Sequence, residues 1–470
     1  MKNDDLFRMI RNTFFFLFFL FLLLLGRLAC VQLFQADELS AHPLNRRGGE
    51  TQLEERGRIL DRHGEVLAES RRQDDGSWYR YYPYGAVTAH AVGYTHPRYG
   101  QSGAELQYTN ELSGHMTSDR RWEGLLKAMQ HGGALGNDVR LTMDARLQEA
   151  AYEALGNRRG SVVLLDAQSG EILVMLSRPA YNPNRLDAQW SSLQNQEETP
   201  LLNRAQYGQY PPGSIFKTVT AYEALASGKA TANTTFQCDG HLRIGSDYEM
   251  TEANGKAHGK LTLRQAMAES CNVAFGSLAL ALGRDGMRQA LEHQGFFRPL
   301  GSFLEENAPR TPNFSQLTPG ELAQTGIGQG DLVVTPLRMA MLAAGYSNQG
   351  LLPQPRLLSQ IIARNGLPLS FVTDKVWLTL EQRAAAEEVR RMMLLTVQDG
   401  TGGAAAVSGL VVGGKTGTAE NPHGKPHAWF MGFAQEGKRT VAIAVIVENG
   451  GSGGAVAAPI ARQVFRAAFR

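Results

Sequence analysis

Apolar residues fall along this chain in three regimes: one unbroken block, strand-length runs near both ends, and helical periodicities between them. Residues 13–26 are uncharged and almost entirely Phe and Leu. At about 1.5 Å of rise per residue that block covers roughly two thirds of a ~30 Å hydrocarbon core. Continuing through residues 28–34 makes it long enough, with Arg27 snorkelling toward the headgroups. The pattern predicts a transmembrane anchor over 13–34. It is expected to be retained, because no small-residue cleavage site accompanies it. Lys2, Arg8 and Arg11 precede the block, so residues 1–12 are expected in the cytoplasm and everything after Phe34 outside.

Residues 35–56 are polar and charged, as a linker would be. Residues 58–68 read as two short apolar strands around a turn with Gly64. Residues 79–84 are aromatic and basic, and 103–114 carry turn and short-helix signals. Linker and small mixed domain together span 35–137, with no catalytic pattern of their own. A second unit, 138–470, opens at Asp138. Asp144 is placed to cap a helix with Leu147, Ala150, Ala151 and Leu155 at helical spacing. Strands at 161–165 and 171–176 flank a turn over 166–170. Three more strands are expected at 411–415, 428–433 and 441–448, and 459–469 reads as a closing amphipathic helix. Strands at both ends with helices between predict an α/β (α+β) fold. One antiparallel sheet would carry helices against it and an inserted helical subdomain.

A net charge of +2 with both signs interspersed gives no reason to propose nucleic acid as a partner. Three cysteines are too few for a disulfide scaffold. Cys30 lies in the anchor, Cys271 among candidate site residues, and Cys238 has no evident partner. The histidines show no ligand spacing, so no metal is expected, and no organic cofactor is expected either.

The candidate chemistry begins at Ser214-Ile215-Phe216-Lys217, just after the rigid turn Tyr210-Pro211-Pro212-Gly213. Ser214 is expected to open a helix through Val219, Tyr222, Ala224 and Leu225, its hydroxyl near unsatisfied N–H groups and the positive end of the dipole. Lys217 falls on the same face. Alone, such a pair is more often a helix cap and a solvated charge. Two later motifs, in this order, reverse that: Ser270-Cys271-Asn272, then Lys415-Thr416-Gly417-Thr418. A lysine with a pKa of about 10.4 is a poor base at neutral pH. Burial and a nearby cation, for which Lys415 is the candidate, can lower it. Ser270 offers a hydroxyl to relay a proton, and Asn272 an amide to orient Lys217 or a substrate carbonyl. Cys271 is expected to pack inward as a small hydrophobe. Residues 411–420 read as a strand whose glycines leave room at an edge that can pair with an extended peptide. Along it, Lys415 and Thr416 would hold a substrate carboxylate, and Gly417 belongs to the same substrate-binding stretch. The Thr418 N–H, with that of Ser214, would form an oxyanion hole.

These three motifs resemble those of a class B penicillin-binding protein, a membrane-anchored D,D-transpeptidase of peptidoglycan synthesis. Residues 56–62 resemble the family's pedestal motif. Residues 166–170, Asn203-Arg204-Ala205, Gly328-Gln329-Gly330 and Thr335-Pro336-Leu337 resemble its other recurring pieces, so the likeness covers nearly the whole chain. It implies the fold shared by penicillin-binding proteins and serine beta-lactamases, with a dimerisation-like pedestal. It also implies that Ser214 attacks the penultimate D-alanine carbonyl of a stem peptide and expels the terminal D-alanine. An amine of a neighbouring stem peptide then takes the acyl group, and beta-lactams acylate the same serine. Implied partners are peptidoglycan stem peptides, beta-lactams, the bacterial cell membrane, a membrane glycosyltransferase and other wall-synthesis proteins. The short pedestal resembles the compact penicillin-binding protein A group, and no glycosyltransferase domain fits ahead of Arg56. A serine beta-lactamase is disfavoured: the nearest match to its E-x-x-L-N element, residues 198–203, has an extra residue and lies upstream of Ser214. A D,D-carboxypeptidase, or a non-catalytic beta-lactam sensor or scaffold, is the alternative.

Overall fold

In the computed structural model the described residues are 3–34, 55–114, 136–246, 248–301, 304–422 and 424–470. They divide into two units, 1–53 with 95–101, and 54–94 with 102–470. Most of the expected linker, 35–54, lies outside the described residues. The first unit contains the helix Asn3–Phe34 and a two-stranded pair, Thr95–His96 with Gly100–Gln101. Within the helix, Arg11–Leu28 is long and apolar enough to cross a membrane by length and composition, with mean hydropathy 1.7.

The second unit holds two larger sheets. The six-stranded one runs Pro368–Phe371, Leu358–Ile362, Asp138–Leu141, Ile59–Leu60, Val66–Arg72, Trp78–Tyr81. Its hairpin forms where the pattern puts it. The Asp61 carboxylate accepts from the N–H groups of His63 and Glu65 at 2.7 and 2.9 Å, and Gly64 takes a φ of +95°. Asp138–Leu141 lies mid-sheet, parallel to Ile59–Leu60 and antiparallel to Leu358–Ile362. The Arg58 guanidinium grips Asp138 at 2.6 and 3.0 Å.

The second sheet carries the chemistry. Its strands are β1 (Gly160–Asp166), β2 (Ile172–Arg178), β3 (Val411–Ala419), β4 (His427–Glu436) and β5 (Arg439–Val447). Their order is β3-β4-β5-β1-β2, antiparallel throughout, so β3 is an edge strand. Helices α1 (Ala145–Leu155), α5 (Pro336–Ser347), α6 (Arg383–Asp399) and α7 (Ala457–Ala468) pack on it, while α2 (Lys217–Ala226) packs on α6 and on α4 (Asn272–His293), and α3 (Leu263–Glu269) packs on α6. Val162 to Leu165 form a continuous buried run, the signature of a strand covered on both faces. One face, with Val162, Leu164, Val441, Ile443 and Val445, packs on Leu147 and Ala151 of α1 and on Ile460, Val464 and Phe465 of α7. Strand alternation sends Val163, Leu165, Ala442 and Ala444 to the other face, where α5 lies along β5, β1 and β4. The helix ends obey local rules. Asp144 caps α1 by accepting from the N–H groups of Arg146 and Leu147, and Thr335 caps α5 with Pro336 in its first turn.

Candidate active site

Ser214 lies on a 3₁₀ turn, Gly213–Phe216, and the α-helix proper begins only at Lys217. The sequence pattern expects the helix to open at Ser214; the tighter turn is a common helix start. Two glycines let this turn seat against β3. Gly213 has a φ of +55°, and a Cβ there would come within 2.9 Å of the Thr418 carbonyl oxygen. A Cβ on Gly417 would stand 3.1 Å from both the Pro212 oxygen and Ile215 Cγ2. The other β3 glycines act differently from expectation. A Cβ on Gly413 or Gly414 would meet the rings of Phe433 or Phe430 at 2.5 and 2.3 Å, so these glycines accommodate the sheet's own aromatics rather than a ligand at its edge.

Behind Ser214, side chains from three segments converge. Thr262 and Gln265 form a capping box that opens α3, and the helix ends at Ser270. Ser270 takes φ 62° and ψ 37°, the left-handed conformation usual for glycine at a helix end. Holding a serine there costs about 1–3 kcal/mol. The bend turns both of its oxygens toward Lys217. The Lys217 ammonium donates to the Ser270 carbonyl at 2.6 Å, the Asn272 Oδ1 at 2.7 Å and the Ser270 hydroxyl at 3.3 Å. The Ser214 hydroxyl is not among its partners, as is common before substrate tightens a catalytic site. From β3, the Lys415 ammonium donates to the Ser270 hydroxyl at 2.8 Å and the Thr416 carbonyl at 3.0 Å. Ser270 thus stands between two lysines, each fully buried.

Burial pulls Lys217 down to about 8, with the negative charge of Glu252 opposing. Lys415 is lowered well below its ordinary value, by burial first and by the Lys217 charge second. The sequence pattern gives Lys415 a share in lowering Lys217. Burial is the largest cause of the lowering at both lysines, and each ammonium disfavours the charge of the other.

Of the remaining sequence candidates, Thr416 is buried and its hydroxyl lies 2.8 Å from that of Thr401, in the loop after α6. Thr418 is exposed, at the end of β3 beside the turn of Ser214. Cys271 is buried as expected and caps α4, its sulfur accepting from the Ala274 N–H at 3.3 Å.

Thr401 and Glu252 carry no signal in the sequence. The Glu252 Oε1 accepts from the Val273 N–H at 2.7 Å and from the thiols of Cys271 and Cys238 at 3.0 and 3.5 Å. Burial works to raise its carboxyl. The N–H groups of Val273 and Asn272, the Cys271 thiol and Lys217 outweigh it and hold the group below its ordinary range. Cys238, without an evident partner in the sequence, therefore meets Cys271 across this carboxylate. With His258, their ligand atoms all lie within 4.8 Å of one another, a donor set able to hold a metal such as zinc. Ligand spacing gives no sign of it, because the four residues come from separate segments.

The arrangement gathers a hydroxyl, an amide and a second amine around Lys217, a lysine of lowered proton affinity three residues after Ser214 and beside the edge strand β3. That is the apparatus of nucleophilic acyl transfer. The sequence matches the penicillin binding protein transpeptidase domain over residues 160–466 and the penicillin binding protein A dimerisation domain over 56–139. Peptidoglycan D,D-transpeptidase PbpA of Mycolicibacterium smegmatis is 32% identical over 485 residues, 96% of each chain. Peptidoglycan D,D-transpeptidase MrdA of Acinetobacter baumannii is 31% identical over 82% of this chain and 65% of its own. The penicillin G acyl-enzyme complex of penicillin-binding protein A from M. tuberculosis superposes with a TM-score of 0.81 at 31% identity, covering 89% of this chain and 100% of that one. The D,D-transpeptidase domain of a peptidoglycan glycosyltransferase from Eggerthella lenta gives 0.80 at 33% identity, covering 88% and 98%. Likeness of sequence along the whole chain and likeness of fold around the serine agree, and the chain belongs to the penicillin-binding protein transpeptidase family.

Proposed function

We propose that this protein is a membrane-anchored peptidoglycan D,D-transpeptidase that works through an acyl-enzyme on Ser214 and is inactivated by beta-lactams. The observation that carries this reading is the convergence of Lys217, Ser270, Asn272 and Lys415 behind Ser214. Neutral Lys217 takes the Ser214 proton as the hydroxyl oxygen attacks the penultimate D-alanine carbonyl. The N–H groups of Ser214 and Thr418 receive the developing oxyanion. The C–N bond then breaks, and the departing D-alanine amine takes a proton from Lys217 through the Ser270 hydroxyl. Asn272 holds Lys217 in place, and Lys415, Thr416 and Gly417 line the seat of the terminal carboxylate. The stem peptide lies along the free edge of β3 by β-augmentation. A second stem peptide's amine attacks the ester, forming the crosslink and restoring Ser214.

In this reading residues 1–12 are a cytoplasmic tail, 13–34 the anchor, 35–137 the linker and dimerisation-like pedestal, and 138–470 the extracytoplasmic transpeptidase domain. A membrane glycosyltransferase supplies the glycan strands that it crosslinks.

The base makes a pH prediction. Lys217 acts without its proton, and that form grows as pH rises through about 8. The second-order rate constant for acylation by penicillin G is therefore expected to rise about tenfold between about pH 7 and 9 and then level. A flat profile, or a falling one over that range, would contradict Lys217 as the base.

A further inference from the structure

Arg204, the centre of Asn203-Arg204-Ala205, takes no part in the acylation chemistry, yet only 1% of it is exposed. Its Nε donates to Glu448 Oε1 at 2.6 Å, and its other nitrogens donate to the carbonyls of Glu198 and Thr199 at 2.6 and 3.1 Å. Glu448 comes directly after β5, with its side chain 6% exposed, and also pairs with Arg159. A buried ion pair is weak evidence for stability, since apolar replacements are often neutral or stabilising. What sets this one apart is a third member. The Tyr210 hydroxyl donates to the same Glu448 oxygen at 2.7 Å.

Tyr210 begins the turn that delivers Ser214, and the turn is fixed at every step. The Tyr210 N–H and carbonyl pair with Val334 at 3.0 and 2.9 Å. The Trp429 indole, from β4, donates to the Pro211 carbonyl at 3.0 Å. The Gly213 N–H donates to the Gly328 carbonyl at 2.8 Å. The backbone bonds set where the turn runs. The Tyr210–Glu448 bond ties its first residue to the end of β5, the central strand, which β4 separates from the edge strand β3.

We infer that Glu448 is a positioning residue: anchored by Arg204, it holds Tyr210 by the hydroxyl and so fixes the Ser214 oxygen and N–H against Thr418. This rests on the reading of Ser214 as the nucleophile. An error of about 1 Å in such a placement costs on the order of 100-fold in rate, even when the altered residue never touches substrate.

The test uses the full chain with penicillin G as the probe, resolving initial binding from the acylation step. Acylation is measured far below every unfolding midpoint, so that a loss of stability does not enter the rate. Tyr210→Phe removes one hydroxyl and keeps the ring. It is expected to slow the acylation step about 10- to 100-fold, with the initial dissociation constant changed less than about twofold. Glu448→Gln should lose at least as much, and the double variant no more than the larger single loss, because both act through one bond. If Glu448→Gln does not fold, Tyr210→Phe decides alone. Acylation at the wild-type rate in Tyr210→Phe, with Ser214→Ala unlabelled, overturns the positioning role and leaves the nucleophile standing. Labelling of Ser214→Ala overturns the reading beneath it.

Discussion

Ser214→Ala is expected to leave a folded protein that takes up no fluorescent penicillin. The position is half-buried on a short turn whose course is set by Gly213 and by backbone bonds, so losing one hydroxyl costs little packing. Chemistry loses everything, because the acyl group has no other oxygen to join: Ser270 is held between two lysine ammoniums and lies behind the nucleophile. The check is the intact mass of protein incubated with penicillin G. Wild type should gain one ligand mass and the variant none, with an unchanged circular dichroism spectrum. A ligand mass on folded Ser214→Ala would place the nucleophile elsewhere.

The second large effect concerns Lys217. Removing a positioned general base typically costs about 10²–10⁴-fold, and Lys217→Ala should fall in that range. The sharper variant is Lys217→Arg. It keeps the positive charge near Ser270 and Asn272, but a guanidinium with a pKa above about 12 cannot surrender its proton. If Lys217 serves as a base, Arg is no better than Ala. If it serves only as a buried charge, Arg restores much of the rate. Acylation by Lys217→Arg within about tenfold of wild type would sink the base assignment. Melting curves of both variants report whether the buried site still closes.

Much of this was legible in the sequence because the carriers are local. An uninterrupted Phe/Leu block yields a helix long and apolar enough to cross a membrane, Asp144 caps the helix that begins beside it, and apolar runs of strand length become β1 and β2. The order of Ser214, Ser270 and Lys415 could be read for the same reason: each short motif is contiguous in the sequence. What stayed hidden depends on distant segments meeting. Glu252 lies in a polar stretch with nothing to mark it until α4 begins above its carboxylate. Thr401 looks like any loop threonine until Thr416 faces it. Strand Leu358–Ile362 reaches back to Asp138–Leu141 across more than two hundred residues of intervening fold. The β3 glycines show the limit most plainly. A glycine run signals that something comes close, and only packing reveals the rings of Phe430 and Phe433 there.

Crosslinking is the central claim, and product analysis with lipid-linked peptidoglycan and its polymerising enzyme tests it most directly. Crosslinked stem-peptide dimers, abolished by penicillin G and absent with Ser214→Ala, are the predicted result. Tetrapeptide released without any dimer would contradict it, because water rather than an amine would then be resolving the acyl-enzyme.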